Sequence, residues 1–143
     1  MDNEIDVFGW NSSSYGYIEA CKMAVEDDEF FSRFKDDPAY RVVLEHLDPG
    51  QGSYYLDCIQ RTNYRLVDEL VKFSINDTVG RPRDICPIDY PDGRKVLITP
   101  STVRYVKVLG DLLHEFGSLN NMKIAEIGGG YGGQCLVISR ECS

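Results

Sequence analysis

Residues 123–142 read KIAEIGGGYGGQCLVISREC. A short apolar run, Lys123 to Ile127, leads straight into Gly128, Gly129, Gly130, Tyr131, Gly132 and Gly133. Cys135 to Ile138 then supply an apolar stretch suited to the start of a packed helix. Strand, glycine turn and helix, in that order, open a doubly wound, Rossmann-like α/β sheet that binds a nucleotide. Glycine admits positive φ and leaves no Cβ between backbone and ligand. The helix that follows offers its first, unpaired N–H groups to an acceptor on that ligand.

Two templates compete for these glycines. Gly128, Gly130 and Gly133 satisfy G-x-G-x-x-G, the dinucleotide fingerprint. Glu126, Gly128, Gly130 and Gly132 satisfy acidic-x-G-x-G-x-G, the first motif of Rossmann-type methyltransferases. Glu126 decides between them. S-adenosylmethionine carries an α-amino group and a sulfonium, which a carboxylate at the strand end attracts. A pyrophosphate would be repelled there, and in dinucleotide enzymes the acidic residue belongs on the second strand, at the ribose. Tyr131 either covers the ligand or packs on the sheet. Gln134 reads as a polar residue of the helix N-terminus.

Upstream, Thr99-Pro100-Ser101 starts a helix with a cap followed by proline. Its inward stripe is Val103, Val106, Leu109, Leu112, Leu113 and Phe116, and Gly117 is placed to end it. Before it, residues 76–98 form a connection rich in proline and glycine, with a turn at Tyr90–Arg94 and a hairpin of residues 84–90 and 94–98. Residues 1–75 read as a helical region. A polar lead-in to residue 13 precedes an amphipathic helix from Ser14, with Tyr15, Ile18, Cys21, Ala24 and Val25 on one face. Asp27, Asp28 and Glu29 suit the first turn of a short second helix. Asp37-Pro38 caps a third, which should stop near Asp48-Pro49-Gly50. Ser53 then caps a long helix to about Phe73, whose stripe only Asn63 interrupts. His46 reads as a surface residue near a helix C-terminus.

The chain has 143 residues, 43% hydrophobic and 27% charged, which is globular composition. A net charge of −8 disfavours general nucleic-acid binding. Five cysteines without a C-x-x-C pair, and two histidines, leave no zinc spacing and point to reduced thiols in a cytoplasmic protein. MDNEIDVFGW has neither the basic nor the apolar region of a signal peptide. No stretch approaches the roughly 20 apolar residues of a membrane span.

The run TPSTVRYVKVLGDLLHEFGSLNNMKIAEIGGGYGGQC, residues 99–135, resembles the sugar O-methyltransferase family. Its members join a helical N-terminal part to an S/T-P-x-T-x-R-Y helix and an EIGGGYGGQ-type motif. Thr99, Pro100, Thr102, Arg104 and Tyr105 match the first pattern, and residues 126–134 match the second. The helical stretch 28–73 is compatible but less specific. The resemblance implies a Rossmann-type fold and S-adenosylmethionine as cofactor. It implies contacts to the methionine portion from Glu126, Gly128, Gly130 and Gly132, and methyl transfer to a hydroxyl of a small-molecule sugar or glycan. Arg104 and Tyr105 would line the cleft or fix the helix against the sheet.

On this reading residues 99–143 begin a methyltransferase domain and do not complete it. The ribose-binding acid is expected about 20 residues beyond the glycine loop, past Ser143. A catalytic base is expected later still, so the 143 residues alone should be inactive. Strand 123–127 must pair with the hairpin, with another chain (a second copy or a companion), or stay poorly ordered. Two other readings stand behind this one. Residues 14–73 would be a protein-interaction module with a vestigial glycine loop, or the chain would be part of a nicotinamide-dependent oxidoreductase.

Overall fold

The structure, a computed structural model, describes residues 12–142. The expected polar lead-in lies, through residue 11, outside the described residues. Short capped helices follow one another. Helix α1 spans Ser12–Glu26. The Asp27 carboxylate accepts from the amides of Glu29 (2.9 Å) and Phe30 (3.2 Å) and so starts α2, Asp28–Phe31. A 3-10 turn over Phe34–Asp36 leads to α3, Pro38–Leu44, capped by Asp37 with proline at its first position. Each cap satisfies amides that the helix itself leaves unpaired.

The next segment departs from the expectation. Asp48-Pro49-Gly50 does not merely stop a helix; it starts α4, Pro49–Thr62, through a capping box of Asp48 and Gln51. Proline is as much a first-turn residue as a breaker, and the Ser53 hydroxyl donates back to Pro49 O instead of capping. The long helix expected to Phe73 is three pieces: α4, α5 (Tyr64–Asp68) and α6 (Leu70–Phe73). The first break is at Asn63, which leaves the helical region at φ −154 and ψ 76 without a side-chain cap to the next helix; asparagine is a weak helix former. A second 3-10 turn covers Ser74–Thr78.

The hairpin forms as expected. Strand β1 (Cys86–Asp89) pairs antiparallel with β2 (Lys95–Ile98), Cys86 opposite Ile98 and Asp89 opposite Lys95. Helix α7 (Pro100–Phe116) begins at the Thr99 cap and ends at Gly117, φ +74. Helix α8 spans Gly133–Glu141.

The described residues are thus mixed α/β, mainly helical, with one two-stranded antiparallel sheet. The parallel sheet for which residues 123–142 call is not formed among them. Residues 123–127 enter no strand, and they leave Ile124 half-exposed and Ile127 fully exposed. A lone strand has no partner for its N–H and C=O groups, and the hairpin does not supply one. One apolar core gathers Ile59, Leu66, Leu70, Phe73, Ile98, Val106, Leu109 and Val137 from α4 through α8. A second joins Ala20, Phe30, Phe34 and Tyr40 of the first three helices and the turn between them. Tyr131 of the glycine loop packs against both. Among the described residues no helix is long and apolar enough to cross a membrane.

Candidate functional site

The candidate cofactor residues share one loop. Gly128, Gly130 and Gly132 all have positive φ (+74, +55 and +89), a turn that L side chains resist. The Gly132 amide donates to Gly129 O at 2.8 Å, and no side chain caps the start of α8. Glu126 is exposed and folds back over the turn, where its Oε2 accepts from the Cys135 thiol at 3.0 Å. That hydrogen bond from the thiol holds the Cys135 pKa up. Cys135 and the other four cysteines carry free thiols.

Tyr131 leaves the loop on the opposite course. It packs on helices instead of a sheet, its ring centre 5.9 Å from that of Phe34 and 6.0 Å from that of Tyr40. The Lys35 ammonium lies 4.6 Å from the ring centre. The Tyr131 hydroxyl exchanges hydrogen bonds with the Asn76 amide at 2.8 and 3.1 Å.

Asn76 and its neighbour Asp77 tie the two motif segments together. Asp77 accepts from the Thr99 amide (2.7 Å), the Thr99 hydroxyl (2.9 Å) and the Thr102 hydroxyl (2.7 Å). Asn76 donates to Thr102 Oγ1 at 2.8 Å, and its backbone carbonyl accepts from Lys35 Nζ. The threonines of the T-P-x-T-x-R-Y pattern therefore face a buried network and not a surface. Gln134, expected as a plain polar helix start, is buried and donates to Tyr105 O at 3.1 Å. Arg104 is half-buried with its guanidinium 5.4 Å from the Tyr105 ring centre. Lys35, Asn76 and Asp77 carry no signal in the sequence beyond being an Asn-Asp pair and a lysine in polar stretches; their partners lie 22 to 55 positions away.

The network holds one buried cation and two buried carboxyls: Lys35, Asp77 and Glu45. Burial pushes the Lys35 pKa down, against the pull of Asp77 and Glu45. Burial pushes Asp77 up, more than the Thr99 and Thr102 hydrogen bonds oppose it. Burial likewise raises Glu45, with Lys35 and the Ser101 hydroxyl pulling the other way. A carboxyl raised on folding holds its proton more tightly folded than unfolded. Its stabilising contribution is full below the unfolded pKa and is lost as pH rises through the folded one. Replacing Glu45 by glutamine removes that loss. In thermal melts over a pH series rising from the ordinary glutamate range, the Glu45→Gln midpoint should gain on the wild type until the folded pKa is passed and then hold its lead; a constant or shrinking gap throughout would refute the assignment.

Elsewhere, His46 lies exposed beyond the end of α3 with Nδ1 2.9 Å from Val43 O. Asn63 lines a cavity of about 490 Å³ beside the C-terminus of α7. A second cavity, of about 390 Å³, opens against α3. The described residues contain no cluster of three or more His, Cys, Asp or Glu able to hold a metal ion. No protein-family model, curated protein or solved structure matches the chain.

Proposed function

We propose that the chain carries the cofactor-binding start of an S-adenosylmethionine-dependent O-methyltransferase whose acceptor is a hydroxyl of a sugar or glycan. The observation that carries the reading is the turn of three positive-φ glycines beside Glu126, set directly before α8. The loop is fastened to the T-P-x-T-x-R-Y helix through Gln134 and Tyr105. The resemblance of residues 99–135 to the sugar O-methyltransferases supplies the acceptor class.

The residues fit the cofactor. Gly128, Gly130 and Gly132 have no Cβ to hold a ligand off the backbone, and a side chain at Gly128 or Gly132 would meet open space. Glu126 is exposed, and one of its oxygens is engaged only by a thiol. S-adenosylmethionine supplies a methyl group bound to a sulfonium sulfur. Glu126 attracts the positive end of that ligand, and the loop fixes its direction. Transfer needs the acceptor oxygen in line with the carbon–sulfur bond, so positioning is the main task of the protein.

Calorimetric titration of S-adenosylhomocysteine and NAD into the protein and its Glu126→Gln variant tests this. The wild type should bind S-adenosylhomocysteine in preference to NAD. Loss of a charge-assisted hydrogen bond should weaken the variant by roughly 10-fold or more. Equal or tighter binding of NAD would overturn the assignment. If neither ligand binds, a helical protein-interaction module with a vestigial loop becomes the better account.

A further inference from the structure

Three ionisable side chains from three separate elements meet in the interior. Lys35 stands on the first 3-10 turn, Glu45 at the C-cap of α3 and Asp77 on the second 3-10 turn. Their exposures are 0%, 7% and 8%, and Lys35 feels both carboxyls. Arg41 of α3 gives its Nη2 to Asp84 at 2.6 Å. One cation therefore faces two carboxyls out of reach of water. A low-dielectric interior disfavours the net negative charge, so one carboxyl keeps its proton. Hydrogen bonding says which. Asp77 accepts from three donors, the Thr99 amide and the Thr99 and Thr102 hydroxyls. Glu45 Oε1 is buried and accepts from none. The proton sits on Glu45. Burial raises its pKa against the pull of Lys35 and the Ser101 hydroxyl, and Asp77 and Asp84 add to the rise.

Glu45 reaches the glycine loop by two routes. Lys35 donates to Asn76 O and lies 4.6 Å from the Tyr131 ring centre, and Asn76 holds the Tyr131 hydroxyl at 2.8 Å. Leu44, next to Glu45 in the chain, has its Cδ1 2.8 Å from where a Cβ on Gly130 would stand. An ionised Glu45 needs donors. It gains them by drawing the Lys35 ammonium from Asn76 and Tyr131, or by moving the end of α3 out to water and taking Leu44 from Gly130. Either move loosens the seat of the same loop. Tyr40 of α3, Tyr105 of α7 and Tyr131 also face Glu45, and burial raises each of their pKa values. A phenol raised further from its ordinary range gives up no proton where a carboxyl does.

We propose that Glu45 is a proton-operated latch on the glycine loop: with its proton it leaves Lys35 to Asn76 and Tyr131, and when the proton is lost the loop is released. Cofactor affinity then falls as pH rises, a consequence that rests on the methyltransferase reading. The latch itself demands only the loop.

The test follows the backbone amides of residues 128–133 and the Glu45 carboxyl carbon by NMR over a pH series rising from the ordinary glutamate range. In the wild type the two should move together with one midpoint above that range. Glu126 and Cys135 also stand at the loop, so Glu45→Gln, which keeps both, isolates the latch. Its thermal melts report that it is folded. In this variant the shared transition should vanish, with the amides held where the protonated wild type has them. Calorimetric titration of S-adenosylhomocysteine reads the consequence. Wild-type affinity should fall by about 10-fold one pH unit above the midpoint, and that of Glu45→Gln should hold. Loop amides that do not move with Glu45, or that keep the transition in Glu45→Gln, would overturn the latch. So would a Glu45 carboxyl titrating in the ordinary range, or S-adenosylhomocysteine affinity constant across the transition. A moving loop without any S-adenosylhomocysteine binding would support the latch and sink the methyltransferase reading. S-adenosylhomocysteine binding without a loop transition would sink the latch alone.

Discussion

Asp77→Ala is expected to lower the free energy of unfolding by about 3–5 kcal/mol, the largest loss of any single substitution proposed for this chain. The Asp77 carboxylate serves the Thr99 amide and both threonine hydroxyls. Thr99 and Thr102 are fully buried, so water does not take its place. Lys35, also fully buried, would keep only Glu45 as a compensating charge. Each orphaned buried group costs roughly 1–3 kcal/mol, and domains of this size hold only about 5–15 kcal/mol in total. The Thr99 cap would also lose the group that holds it at the start of α7. Urea unfolding followed by circular dichroism measures the loss. A change below about 1 kcal/mol would mean that these groups find other partners and that the network does not hold the motif helix in place.

Gly133→Ala is expected to destabilise by about 2–3 kcal/mol although it lies outside the cofactor quartet. Gly133 is the first residue of α8, and alanine is the better helix former by up to about 1 kcal/mol. Space decides the sign. A Cβ there would stand 2.6 Å from the Tyr131 hydroxyl, 2.7 Å from its ring and 2.8 Å from the Tyr105 ring. Neither ring yields easily. Asn76 and Lys35 pin Tyr131, and Tyr105 is buried against the main core with its carbonyl bound to Gln134. Thermal unfolding of Gly133→Ala beside Gly128→Ala checks this. Gly128 meets nothing within 4 Å, so its substitution carries only the cost of positive φ, roughly 1–2 kcal/mol. If Gly133→Ala proved the more stable of the two, the seating of Tyr131 against the helices would be wrong.

What the sequence revealed follows the reach of its signals. Asp27, Asp37 and Thr99 announce helix starts because a cap acts within three residues. Pro91 and Gly93 announce the hairpin turn for the same reason, and Gly93 takes φ +87. Asp48-Pro49-Gly50 read only as a stop, because proline and glycine interrupt a helix, whereas the capping box of Asp48 with Gln51 makes it a start. The glycine loop was legible as a turn of special backbone. Its surroundings were not. Burial of Lys35, Asn76 and Asp77 depends on partners far along the chain, and no local pattern marks a polar residue for the interior. The strand expected over 123–127 failed for the complementary reason. Its apolar residues suit a strand, but a strand exists only where another pairs with it, and none does among the described residues.

Asn76 sets an order of assembly. It joins Lys35, 41 residues before it, to Tyr131, 55 residues after it. Ring closures of that span cost conformational entropy before any contact returns it. The capped helices and the hairpin need no such closure and can form early. The two halves of the chain meet at this one residue, Lys35 at its backbone carbonyl and Tyr131 of the glycine loop at its side-chain amide. Contacts made so late act chiefly on how fast the folded state is left and little on how fast it is reached. The hold on the loop's folded shape therefore runs in part through a residue on neither motif, in a stretch whose composition resembles a linker.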